Sequence, residues 1–293
     1  MDSHGGIIKT ITTTGETTTL QSKTVTPSSV QQTITADIGY TGLSEVVVNA
    51  GIMPDDIAMA VQPSGAITLS VPYVSGYNAS GIRDYAFYGN KSITDITLTT
   101  YPNIYQYAFA NMTSLKSFSA PIAQTFGNRG ITSGSVYVFA GCTSLEFLNL
   151  PKVTTLGGYC FRNCTSLEQI VLPSATQFGG NNTFQGCTAL KVVDFGAPTK
   201  LGNVEFFINC SQLATVILRT PSVCSLTNIN NIASGTPFAS TGTGGTLYVP
   251  SALISDYQSA TNWSTVLGYE NNSIQAIEGS IYETQYADGT PIS

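Results

Sequence analysis

The stretch Phe161–Pro173 reads FRNCTSLEQIVLP, and its apolar residues follow Phe161 at set offsets: Cys164 at +3, Leu167 at +6, Ile170 at +9 and Leu172 at +11. Offsets +9 and +11 alternate, which is strand periodicity. The preceding C-T-S-L turn carries hydroxyls able to bond their own backbone. Aligned on Phe87, Phe109, Phe139, Phe161, Phe184 and Phe207, similar units lie 22, 30, 22, 23 and 23 residues apart. The unit before gives Cys142, Leu145, Leu148 and Leu150; the two after give Cys187, Leu190, Val193, Phe195 and Cys210, Leu213, Val216, Leu218. The first two units are looser, with Asn90, Ile93, Ile96, Leu98 and Met112, Leu115, Phe118, Ala120. Of these 24 positions 23 are apolar, where a 42% apolar composition gives about 10 by chance.

A unit this short holds one strand and at most a helical turn. It cannot bury its own apolar face, so neighbouring units must stack into a continuous core. A seventh unit from Phe238 places Leu247 and Val249 at +9 and +11, and Ile67 and Leu69 are expected to open the stack.

The pattern F-x-x-C-T-S-L-x-x-I-x-L-P, complete at Phe161–Pro173 and nearly so at Phe139–Pro151, resembles the BspA-like leucine-rich repeats of bacterial surface proteins over roughly residues 80–250. The resemblance implies an α/β leucine-rich-repeat solenoid, β-rich and right-handed, with a short parallel sheet on its concave side. It implies adhesion and binding, and it carries over no catalytic residue and no cofactor.

Six cysteines in an even count invite a disulfide reading. Their register argues otherwise. Cys142, Cys164, Cys187 and Cys210 share offset +3, Cys224 shares +17 with Ile104, Phe126, Leu156, Phe178 and Leu201, and Cys160 stands where Ala86 and Ala108 stand in other units. These are core columns, where a free thiol packs as a small hydrophobe. Without a C-x-x-C pair there is no start for a zinc or iron–sulfur site.

If +9 and +11 point inward, +8 and +10 face out. The early outward pairs are small and polar: Asp95, Thr97, Ser117 and Ser119. The later ones form the expected partner-binding stripe: Phe147, Asn149, Gln169, Val171, Val192, Asp194, Thr215, Ile217 and Tyr248, preceded only by Thr246 in the last pair. Contiguous exposed apolar residues mark interaction sites; β-branched residues placed there for strand propensity are the competing explanation. Two insertions, 124–138 and 226–237, are expected as loops, and Arg129 in the first is the candidate ligand-binding charge. Tyr101, Tyr105 and Tyr107 are either an aromatic platform for sugar or half-buried cap residues.

The flanks divide the chain into a Thr-rich extended arm (1–20), a small N-terminal β module (21–55), the repeats (56–250) and a C-terminal helical cap with tail (251–293). In the module, K-T-V-T-P (23–27), Q-T-I-T (32–35) and G-Y-T-G-L-S-E-V-V-V-N-A (39–50) resemble a motif of phage tail and other virion structural proteins, and some surface proteins, of low-GC Gram-positive bacteria. Such a module could equally shield the first repeat. In the cap, Ser251 is expected to start a helix carrying Leu253, Ile254 and Tyr257, with Trp263 sealing the last unit.

The 293 residues include 11 Lys+Arg and 17 Asp+Glu, a net charge of −6, with no basic cluster to neutralise nucleic acid. No apolar run approaches a membrane span, and the first residues show no signal-peptide pattern. The single histidine, His4 near the terminus, leaves no imidazole for a triad or a His-based metal site. Glu146 and Glu168 share offset +7 one repeat apart, near a retaining glycosidase separation, but Lys116 and Lys191 in the same column suggest a surface ion-pair ladder. The sequence therefore reads as non-enzymatic and extracellular, a virion or bacterial cell-surface recognition protein binding a host protein or glycan. The N-terminal module offers contacts to virion neighbours or further copies. A purely structural tail, fibre or decoration subunit is the alternative, and glycoside hydrolysis a remote one.

Overall fold

The computed structural model describes the strand backbones Ile8–Thr13, Glu16–Thr17, Leu43–Val48 and Gly65–Ser70, and residues 81–82, 84–99, 102–127, 134–201 and 205–292. Each repeat contributes one strand to a front sheet at offsets +8 to +11 and a two-residue strand to a back sheet. The front strands are Gly65–Ser70, Ile93–Leu98, Ser117–Ser119, Phe147–Asn149, Gln169–Leu172, Val192–Phe195, Thr215–Leu218 and Thr246–Val249. Paired neighbours are parallel and in register, so the +9 column aligns as Ile67↔Ile96, Ile96↔Phe118, Phe118↔Leu148, then Ile170↔Val193, Val193↔Val216 and Val216↔Leu247. The result is a parallel β-solenoid of about eight turns.

The repeat phenylalanines stack along the axis. Rings Phe87, Phe109, Phe139, Phe161, Phe184 and Phe207 follow one another at 5.4 Å, near-parallel and buried. Between back and front strands the chain makes an irregular arc with two left-handed residues per unit. One column, at offset −2, is Tyr85, Tyr107, Tyr137, Tyr159, Asn182 and Glu205; the other, at +2, alternates Gly89, Asn111, Gly141, Asn163, Gly186 and Asn209. A Cβ on Gly141 would meet Asn111 Oδ1 at 2.3 Å, and one on Gly186 would meet Asn163 Oδ1 at 2.4 Å. Each Asn therefore fills the space its neighbouring glycine leaves. The arc still forms an axial ladder, for example Phe161 N–H to the Thr183 carbonyl (2.9 Å) and Asn163 N–H to that of Gln185 (2.7 Å).

All six cysteines are free and buried. At the N-terminal end, Leu43–Val48 adds parallel to Gly65–Ser70 and antiparallel to Ile8–Thr13, which forms a hairpin with Glu16–Thr17. The stretches Lys23–Thr26 and Gln31–Thr35 lie outside the described residues.

Several expectations are corrected. The β-rich solenoid itself is as expected, with little helix among the described residues, and the corrections concern the cap and the second insertion. The cap begins with a 3₁₀ turn, Ser251–Leu253, followed by helices Ile254–Ser259 and Trp263–Leu267. Ser251 caps nothing with its side chain; its N–H donates to Glu278 Oε2. Beyond the helices a further strand, Ser273–Ala276, pairs parallel with Thr246–Val249 and extends the front sheet, which the cap reading missed. The insertion 226–237 is no free loop: it forms the short helix Asn230–Ala233, with Ile232 in the core and Asn231 Nδ2 donating to the Leu201 carbonyl.

Candidate recognition surface

Strand alternation puts the +8 and +10 side chains outside the front sheet, and register lines them into two columns. At the N-terminal end they satisfy one another: the Ser117 hydroxyl donates to Asp95 Oδ1 (2.7 Å) and Asn149 Nδ2 to the Ser119 hydroxyl (3.0 Å). Phe147, opposite Ser117, has no such partner and is 56% exposed, one of the few large apolar side chains so open. Asn149 and Gln169 beside it are exposed, and Val171, Val192 and Thr215 are half-buried.

Farther along, the stripe is not open. The carboxylate of Asp194 sits in the outward column between Val171 and Ile217, fully buried. Arg219 grips it from both sides of the fork, Nε to Oδ1 at 2.8 Å and Nη2 to Oδ2 at 2.9 Å. The C-terminal tail completes the cluster. The Tyr282 and Gln285 carbonyls accept from the same guanidinium, the Ala287 N–H donates to Asp194, and the Tyr286 ring lies 4.9 Å from Arg219 Cζ. Burial pushes the Asp194 carboxyl above its ordinary range, against the downward pull of Arg219. Tyr282 packs edge-on to Tyr248 at 4.8 Å, leaving Tyr248 half-buried, and Ile217 has no exposed surface. Asp194 and Ile217 are therefore removed from the partner-binding set, because both are buried and this chain's own tail covers Asp194. What remains at least partly open is Phe147, Asn149, Gln169, Val171, Val192 and Thr215, with Tyr248 half-buried under Tyr282.

Arg129 lies outside the described residues, as does Tyr101. Tyr105 is buried and Tyr107 belongs to the −2 column, so the three do not make one platform. Of the glutamate column, Glu168 pairs with Lys191 at 2.8 Å, both more than half exposed. A solvated ion pair of this kind is not the enclosed apolar pocket in which a general-acid carboxyl sits. Among the described residues no group of His, Cys, Asp and Glu is arranged to hold a metal, and no helix is long and apolar enough to cross a membrane.

The −2 tyrosines are the feature the sequence reading passed over. Tyr85, Tyr107, Tyr137 and Tyr159 stack at 4.8, 4.8 and 4.6 Å along the arc, although the fourfold Y-x-F ending at each repeat Phe was visible in the sequence.

Stacked parallel strands with a repeated phenylalanine and leucine columns define a leucine-rich-repeat solenoid. The model of the BspA type leucine-rich repeat region matches in six copies over residues 75–129 and 132–242, more than half of the chain. The chain belongs to that family. Among solved structures it is similar to a leucine-rich repeat protein of T. pallidum (21% identity, 63% of this chain and 78% of that one, TM-score 0.48). It is also similar to a leucine-rich cell surface protein of Faecalibacterium prausnitzii A2-165 (17% identity, 82% and 84%, TM-score 0.33) and a leucine-rich repeat protein of Bacteroides ovatus ATCC 8483 (15% identity, 82% and 90%, TM-score 0.25). No curated protein gives a significant match.

Proposed function

We propose that this chain is a non-enzymatic recognition module at a cell or virion surface, binding a protein partner on the front sheet around Phe147. The observation that carries the reading is a large aromatic side chain, 56% exposed, on the last strand of one front-sheet run, with Asn149 on the same strand and Gln169, Val171 and Val192 on the strands that follow. Exposed aromatics are the kind of residue that dominates protein interfaces. The family and the N-terminal motif at 23–50 support a surface or virion setting. The partner is a surface protein of the host.

The test uses labelled protein on intact host cells, with and without protease treatment of the cells. Binding is expected to be lost on protease treatment and to weaken at least tenfold for Phe147→Ser, with the melting curve unchanged. Equal binding by the variant refutes this site. Antibody labelling of cells or virions checks the setting.

A further inference from the structure

On the opposite, arc side of the solenoid a trough crosses three repeats. Its floor is the +1 column, Ala110 and Ala140, where Tyr88, Arg162, Gln185 and Ile208 stand in four other repeats. Arg162 lines one end, and at the other Tyr88 stands beside Asn111. The stacked Tyr107 and Tyr137 rings form one wall, and Asn111, Gly141 and Asn163 of the left-handed +2 column the other. Its volume is about 180 Å³, and it is open to solvent along one side. At the Tyr88 end Asn111 Nδ2 donates to the Tyr88 hydroxyl at 2.8 Å, fixing both.

The chemistry of the lining is selective. No carboxylate lines the trough, although the chain carries a net charge of −6. Arg162 has no ion-pair partner among the described residues; its guanidinium carbon lies 5.8 Å from the Tyr159 ring, and its Nε–H is buried without an acceptor. The contrast with Arg219, whose fork is filled by Asp194 and two carbonyls, is direct. A guanidinium beside the Tyr159 ring with no anion or carbonyl on its fork among the described residues suits a planar, two-oxygen anion at its Nη atoms. Around it stand carboxamides and phenol edges, groups that hydrogen-bond hydroxyls and pack on apolar C–H faces.

We propose that this trough is a second binding site, for an acidic sugar residue: a uronate-type carboxylate on Arg162, with ring hydroxyls toward Asn111, Asn163 and the tyrosine edges. It is independent of the front-sheet site, since Phe147 lies on the other side of the core.

The test is saturation-transfer NMR and calorimetry on the full chain, with methyl glucuronoside and methyl galacturonoside as probes, methyl glucoside and galactoside as neutral controls, and acetate as an anion control. At least one uronoside is expected to bind at least tenfold tighter than its neutral counterpart and than acetate. Arg162→Ala should abolish the preference for the acid. Ala140→Phe should block binding while leaving Arg162 and the attachment to cells through Phe147 intact. Circular dichroism confirms that each variant folds. The proposal is overturned if neither uronoside binds tighter than about 10 mM, if acetate competes as well as the sugar, or if either variant, once folded, binds like the parent.

Discussion

At the scale of single residues, the +3 cysteines show why a thiol stands where another repeat would hold a larger hydrophobe. Cys142, Cys164, Cys187 and Cys210 donate Sγ–H to the carbonyls of Phe109, Phe139, Phe161 and Phe184, at 3.1, 3.2, 3.0 and 3.0 Å. Each thiol thus fills a small core site and ties its unit to the Phe of the unit before. Burial pushes the thiols of Cys142, Cys160 and Cys224 from 9 up to about 12. Because the unfolded chain loses these protons first, the thiols' contribution to stability is constant below about pH 9 and falls above it. The slope is about 1.4 kcal/mol per pH unit per thiol until the folded value is reached. Urea midpoints at pH 8 and pH 10 check this, and Cys160→Ala should remove its share of the drop. A thiol reagent should label the native protein only after denaturant is added. The burial of these residues was legible from their shared offset; the Sγ–H contacts were not, because they join residues whose closeness depends on the axial stacking.

Among elements, the phenylalanine stack and the tail act in opposite ways. Phe161 lies between Phe139 and Phe184 in the middle of the stack, so Phe161→Ala opens a cavity walled by rigid rings. A loss of about 4 kcal/mol in denaturant unfolding is expected. The tail acts locally. Removing residues 281–293 takes away the Tyr282 and Gln285 carbonyls and the Ala287 N–H but leaves Asp194 and Arg219 paired and newly hydrated. That predicts a modest loss of about 1–3 kcal/mol and faster amide exchange in Thr215–Leu218, with Phe87 to Phe161 undisturbed. A global collapse of protection would show that the tail is part of the core. The sequence marked Asp194 and Ile217 as outward, and they are outward from the sheet. It gave no sign that a strap more than 60 residues later would lie on Asp194.

For the molecule as a whole, the hydrogen-bonded front sheet is interrupted. One run ends at Phe147–Asn149 and the next begins at Gln169–Leu172, while the back sheet breaks one unit later, between Gln177–Phe178 and Lys200–Leu201. The staggered breaks keep the stack continuous through the opposite sheet and through the phenylalanines at 5.4 Å. In a solenoid, stability is close to a sum over units and their neighbours. Hydrogen exchange should therefore find its weakest internal protection at strands Phe147–Asn149 and Gln169–Leu172, beside the exposed Phe147. Uniform protection across all front strands would contradict this. Offsets of a few residues, repeated from Phe87 to Phe207, are local facts of the chain, and they were sufficient to set the stack, its register and its core, since each apolar face has only its neighbour to hide against. Which outward residues stay open, and where a trough forms, depended on contacts between residues 22 to 93 positions apart: the tail on Asp194, and the small side chains of two repeats lying between Tyr88 and Arg162. Such contacts obey no period, so only the folded chain could decide them.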